Sequence, residues 1–154
     1  AIGGVLVVSR QQRKVGPMDV SEARKFLAVH HNAVLATRKR DGGIQMSPVT
    51  VGVDDGGRAI VSSRETAYKT RNLQRDPRAS ICVFADAFHG SVWIQISSSA
   101  EILPLPEAME PLVDFYRRVK GEHADWNEYR RTMEKQRRVL IRVAIESAGP
   151  DRKG

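Results

Sequence analysis

The sequence predicts a mainly β chain with peripheral helices, built as a six-stranded antiparallel barrel, closed or split. Three observations lead there. Short apolar runs are separated by tight-turn residues, as at Asp41-Gly42-Gly43 and Asp54-Asp55-Gly56-Gly57, which read as hairpin turns. A long run from Val92 to Ile102 alternates apolar with polar residues, the period of a strand with one buried face. Strands and helices do not alternate at the spacing of βαβ units, so antiparallel pairing dominates.

Taken in order, Asp19-Val20-Ser21-Glu22 starts a helix, with Asp19 or Ser21 as cap, that ends near His31-Asn32. His30 and His31 are expected to interact with the C-terminus of that helix. Ala33–Thr37 reads as a buried strand. The next strand carries Ile44 and Met46 at even positions but Val49, Val51 and Val53 at odd ones. A parity flip at Ser47-Pro48 predicts a β-bulge there, and bulges often flank sites, so Ser47, Pro48 and Val49 are singled out. Ala59-Ile60-Val61 is a third strand, Ala79–Ala87 a fourth and Val92–Ile102 a fifth. Cys82 is expected to be inert core. On the fifth strand Trp93, Gln95, Ser97, Ser99 and Glu101 share a half-aromatic, half-polar face. It suits either a flat polar ring or the outer surface of a barrel. A helix follows with Leu112, Phe115, Tyr116 and Val119 at helical spacing, and Pro111 marks its first turn or a kink; Gly121 stops it. Asp125-Trp126-Asn127-Glu128 is a capping box for a further helix, with Trp126, Tyr129 and Met133 turned inward. Val139–Ile145 closes the fold as a sixth strand.

The length of 154 residues suits one domain with a real core. We expect residues 1–17 to be a flexible extension, 18–148 the folded domain and 149–154 a tail. The balance of 25 Lys+Arg against 18 Asp+Glu, a net charge of +7, favours an anionic partner. A nucleic acid is disfavoured, because the basic residues are spread over many segments. A lone cysteine fits a reducing compartment, so a cytoplasmic location is expected. Ile2–Val8 is too short to span a membrane. The four histidines show no metal-ligand spacing, and the chain has no Ser/His/Asp triad, Walker loop, G-x-G-x-x-G turn or CxxC pair. No side chain stands out as catalytic, so any redox chemistry would belong to a cofactor.

The most informative stretch is Ser62-Ser63-Arg64-Glu65-Thr66-Ala67-Tyr68-Lys69-Thr70-Arg71-Asn72. A strand ending in two serines runs into a helix capped by Thr66 and stopped before Asp76-Pro77. Hydroxyls, helix N-terminal amides and Lys69 then converge, which is the chemistry of a phosphate or carboxylate site. A solvated basic helix would have the same composition.

Val34-Leu35-Ala36-Thr37, Asp41-Gly42, Gln45-Met46-Ser47-Pro48-Val49, Lys69-Thr70-Arg71-Asn72-Leu73 and Asp76-Pro77-Arg78-Ala79-Ser80, in this order, resemble the pyridoxamine-5'-phosphate-oxidase-like, flavin-binding split-barrel superfamily. Gly121–Arg130 and Arg137-Arg138-Val139-Leu140 further resemble its actinobacterial members that use the deazaflavin coenzyme F420. The resemblance covers roughly 21–145. It implies a homodimer with cofactor sites at the subunit interface. Lys69 would hold the cofactor phosphate, helped by Ser62 and Ser63, and Ser47–Val49 would lie along the tricyclic ring. Arg71 and Asn72 are weaker carry-overs, and Trp93 and Gln95 would face the ring or the partner subunit. Ser97-Ser98 departs from a Glu-Gly-like pair common in relatives. The implied activity is hydride transfer from reduced F420 to a small electron-poor substrate. A non-catalytic F420 carrier, or an FMN-dependent enzyme on the same barrel, stays open.

Overall fold

The computed structural model describes residues 19–87 and 92–149. The expected extension over 1–17 lies outside the described residues, as do His89 and most of the expected tail. Helix α1 (Val20–Val29) leads into β1 (Asn32–Arg38), β2 (Ile44–Thr50), β3 (Gly52–Val53) and β4 (Ala59–Arg64). Then come α2 (Tyr68–Arg75), β5 (Arg78–Phe84), β6 (Trp93–Leu103), α3 (Met109–Lys120), α4 (Trp126–Lys135), β7 (Arg138–Val143) and β8 (Ala148–Gly149). The sheet order β2-β1-β5-β6-β7-β4-β3 is antiparallel throughout, with β8 paired to β6. Because β2 and β3 adjoin in the chain, the two ends of this path meet and the sheet curls into a split barrel. The eleven-residue β6 makes the seam: Trp93–Ser99 pair with β5 and Ala100–Leu103 with β7.

Among the described residues, eight strands stand where six were expected. The second expected strand divides at Val51, whose N–H donates to the His31 carbonyl at 2.9 Å, while its own carbonyl takes His31 Nδ1 at 2.8 Å. His31 thus serves this break rather than the end of α1. The His30 backbone N–H caps α1 on the Phe26 carbonyl, and its ring packs on Phe26 at 4.4 Å.

The expected bulge at Ser47-Pro48 is absent. From Asn32 opposite Thr50 to Arg38 opposite Ile44 the β1–β2 register runs without a skip. Ile44, Met46, Pro48 and Thr50 face outward and Gln45, Ser47 and Val49 inward along the whole strand. The parity changes because the outward face is itself apolar near Ile44 and Met46, which are 45% and 70% exposed. Pro48 is tolerated because β2 ends the sheet path.

Two cores share one strand pair. Val61 and Ile141 point into the curl with Leu27, Leu35, Ile81, Ile94 and Ile96. Ile60 and Leu140 point the other way, onto Leu112, Val113, Phe115, Tyr129 and Met133 of α3 and α4. Buried on both faces, β4 and β7 read as unbroken apolar runs. Cys82 is half-buried on the outer face of β5, whose core side is Ala79, Ile81 and Val83. Half of the expected capping box forms: Asp125 Oδ1 accepts from the Glu128 amide at 3.1 Å, but the Asp125 N–H donates to His123 Nδ1 at 2.9 Å instead of to Glu128. Gly121, at φ +84°, ends α3. No helix among the described residues is long and apolar enough to cross a membrane.

Leu140 is 1% exposed, so Leu140→Ala should cost about 2–4 kcal/mol in urea unfolding, through lost burial and the cavity left behind. Glu134→Ala, on the exposed side of α4, should stay within about 0.5 kcal/mol of the parent.

Candidate functional site

Where the apolar stretches of β4 and β7 run out, the sheet opens into a cleft of about 460 Å³. Pro48, Val49 and Thr50 form one rim; Ser62, Lys69 and Arg138 form the polar side. Phe115, Tyr116, Val119 and Lys120 of α3 face Tyr129, Thr132 and Met133 of α4 and its C-cap Gln136 across the rest. None of these lining residues is acidic.

Local chemistry explains how Lys69 is aimed. The expected Thr66 cap does not form; the N-cap is Ala67 and no side chain caps the helix. Instead the turn is fastened from within. Ala67 N–H donates to the Arg64 carbonyl at 3.1 Å, and Thr70 Oγ1 donates to the same carbonyl at 2.7 Å. Ser63, 1% exposed, shares a 2.9 Å hydrogen bond with Thr70 Oγ1. Ser63 therefore lies on the core side of β4 and fixes the strand–helix turn, while Ser62, one residue earlier, faces the cleft. Lys69 is the second residue of α2, so its ammonium sits beside the positive end of the helix.

Asn72 is 5% exposed. Its Nδ2 donates to Thr37 Oγ1 and Gln45 Oε1, both at 3.1 Å, and its Oδ1 accepts from Arg75 at 3.0 Å. It ties α2 to β1 and β2 and does not line the cleft. Arg71 is exposed on α2 and also lies outside the lining. Ser47 is half-buried beneath the rim. Trp93 and Gln95 stand on the outward face of β6, opposite Phe84 and Cys82, away from the cleft. The structure thus brings together Pro48, Val49, Ser62 and Lys69 and leaves the other six candidates apart.

Sequence reasoning missed Arg138, Lys120 and the α3–α4 wall. Tyr116, His123, Trp126 and Tyr129 pack ring against ring, each pair of centroids 5.1–5.7 Å apart. Tyr129 Oη donates to the Leu112 carbonyl at 2.9 Å, locking α4 on α3. Arg138 donates from Nε to Gln136 Oε1 at 2.8 Å and stands directly across the ladder from Arg64. Like charges in register are unfavourable. The expected sixth strand begins at Val139, one residue past Arg138, and its spacing carries no sign of this pairing.

Burial, and next the Arg138 charge, hold the Lys69 ammonium below the ordinary lysine value of 10.5. Burial and then Arg64 lower Arg138 as well. Burial pushes the Tyr129 phenol up to about 12, against the opposing pull of Arg138. Lys69 and Arg138 have no carboxylate partner among the described residues. A desolvated cation pair without a counter-ion is a site for an anion beside an aromatic wall.

The sign of the pH dependence follows. With its folded value depressed, charged Lys69 carries a penalty in the native state that is full at neutral pH and is relieved as pH rises towards 10.5. An anion binds the charged form. Sulfate affinity, followed by amide NMR shifts of Ser62 and Thr50, should be level near neutrality and fall once pH passes the lowered lysine value. Lys69→Arg should bind sulfate without that fall; a fall unchanged in the variant would remove Lys69 from the site.

Other proteins share this arrangement of strands and helices. A conserved hypothetical protein of Mycobacterium tuberculosis, Rv2991, superposes with a TM-score of 0.72 at 25% identity, covering 90% of this chain and 87% of its own. A structure described as an F420 reductase gives 0.65 at 19% identity, with 82% and 94% covered. The heme storage protein HutZ of Vibrio cholerae gives 0.64 at 17%, with 89% and 98% covered. The last two likenesses are of fold alone. Residues 20–149 match the pyridoxamine 5'-phosphate oxidase family, and the chain belongs to that family.

Proposed function

We propose that this protein is an F420-dependent oxidoreductase that delivers a hydride to a small, electron-poor organic substrate. The observation that carries the reading is the cleft's charge: three cations, Lys69, Lys120 and Arg138, line it with no carboxylate among its lining residues. F420 carries a phosphodiester and a glutamate tail, whereas FMN has one phosphate. The excess of positive charge fits the former better. The sequence resemblance to F420-using relatives, and the fold shared with an F420 reductase, lend further support.

The bound deazaflavin would supply the hydride. Lys69, Arg138 and the Ser62 hydroxyl would hold its phosphate at the first turn of α2. The Pro48–Thr50 rim and the Tyr116–Met133 side would orient a ring and keep water from it. The cleft lining contains no histidine or acidic side chain to move protons, so these residues bind and orient. That same lack favours a carrier role as the second reading.

We further propose a homodimer. Ile44 and Met46 lie on the outward face of β2, beside Val34 and Ala36 of β1 and continuous with the Pro48–Thr50 rim. A second copy covering that face would wall the cleft from its open side.

Fluorescence titration with F420 and FMN at two salt concentrations tests the cofactor. F420 should bind, more weakly at high salt, and Lys69→Ala should cost roughly 1.5–3 kcal/mol. FMN binding alone would move the protein to flavin chemistry, and F420 binding without turnover of enones, quinones or nitroaromatics would make it a carrier. For the dimer, Met46→Glu should shift sedimentation velocity to the monomer and weaken F420 binding.

A further inference from the structure

A second cavity, of about 380 Å³, lies between the β1–β2 turn and the α2–β5 turn, lined chiefly by Arg38, Lys39, Arg40, Arg75 and Arg78. We propose that it is a separate anion site, for a small ligand carrying several clustered anionic oxygens, as an oligophosphate or oligocarboxylate does.

The groove is held in shape by its own polar contacts. Arg75 Nη2 donates to the Arg38 carbonyl and to Asn72 Oδ1, both at 3.0 Å, so the two turns are tied across 37 positions of chain. The β1–β2 turn is closed by Lys39 N–H on the Gly43 carbonyl at 2.7 Å and by Asp41 Oδ1 accepting from the Gly43 amide at 2.9 Å. Gly42 takes φ +86° there, a conformation other residues adopt at a cost.

Within this frame the charges do not balance. Asp76 is occupied by Arg78, with Nη2 at 2.6 Å from Oδ2. That pairing, mainly through its side-chain hydrogen bonds, pulls the Asp76 carboxyl down to about 2. Lys39 reaches Asp41 only at 4.0 Å, between exposed side chains, a contact of little worth. Arg38 and Arg40 have no ion pair among the described residues. One carboxylate, Asp76, therefore lines the cavity beside five cations, and Asp41 stands outside the lining. One monovalent anion would leave that excess unmet, whereas two or three clustered charges match it.

The groove is distinct from the cleft. Lys69 and Arg75 sit at opposite ends of α2, six residues or about 9 Å of helix rise apart. Arg38 faces Ile44 at one end of the β1–β2 ladder, and the Pro48–Thr50 rim lies at the other, roughly 14–20 Å along the strand. A single phosphate cannot serve both places.

Isothermal titration of the full chain with inorganic tripolyphosphate, in the Lys69→Ala background to quiet the cleft, tests the proposal. Binding should persist in that background. It should weaken at least tenfold on adding Arg38→Ala and Arg40→Ala, one half-buried and one exposed change whose folding is checked by the thermal midpoint. Citrate run in parallel tells the sources apart: binding that matches tripolyphosphate points to an oligocarboxylate, and weaker binding to an oligophosphate, and either outcome supports the site. No heat in the Lys69→Ala background, or unchanged binding in the arginine variants, would overturn it. Single-stranded DNA that binds more tightly than tripolyphosphate, with affinity rising with length, would overturn it too, by giving the groove to a nucleic acid.

Discussion

The rest of the structure depends on the β4–β7 pair, because it is dry on both faces. Val61 and Ile141 complete the interior of the curl, while Ile60 and Leu140, one position away, seat α3 and α4. A strand pair in the middle of two cores cannot slip by one residue without emptying both, so its register is strongly set. That register places Ser62 opposite Leu140 and Arg64 opposite Arg138, at the point where the apolar run stops. The cleft is therefore a consequence of where the double burial ends. The helices that cover the outer core also wall the cleft, and Tyr129, Phe115 and Met133 belong to both.

Electrostatics at that end runs against simple stability. Most ion pairs among the described residues are exposed and contribute little, such as Arg117–Glu122 at 3.0 Å and Arg78–Asp76 at 2.6 Å. Lys69 and Arg138, by contrast, sit where burial and a neighbouring arginine, Arg138 for Lys69 and Arg64 for Arg138, both disfavour their charges. A fold under selection for stability alone would place a glutamate there or separate the arginines. Repulsion among preoriented cations is relieved by a bound anion, so an arrangement that weakens the free protein would strengthen an anion complex of the kind proposed above.

How much of this was legible in the sequence depended on whether the signal was local. Turn and cap chemistry is local, and the Asp125 cap, the Gly121 stop, the Asp19 cap and the glycine-rich hairpins stand where the residues put them. So does the mainly β, antiparallel architecture. The Ser47-Pro48 bulge failed because apolar parity reports which face is dry and not which face is inward. An outward apolar face on β2 counterfeits a slip. Thr66 failed as a cap because Thr70 and Ser63 already satisfy the turn through the Arg64 carbonyl. Of the candidate site residues, Lys69, Ser62, Pro48 and Val49 meet in the cleft. Ser63 and Asn72 were recognisable as special, but being buried polar residues they hold the frame instead. Arg138 and the α3–α4 wall were not legible, because their approach to Lys69 comes from pairing across more than sixty positions of chain.

Asn72 shows why a polar residue can matter to a site it never touches. Its amide is used up on Thr37, Gln45 and Arg75, so it has little left for a ligand. What it does is pin α2 against β1 and β2 at one point between Lys69 and Arg75. A helix of eight residues is too short to be stable alone and takes its position from such contacts. Fixed at its middle and fastened at its start by Ser63 and Thr70, α2 becomes a rigid spacer with a cation at each end. The separation of the cleft from the arginine groove is then a property of one short helix. Any ligand chemistry shared between the two must be reconciled through its length.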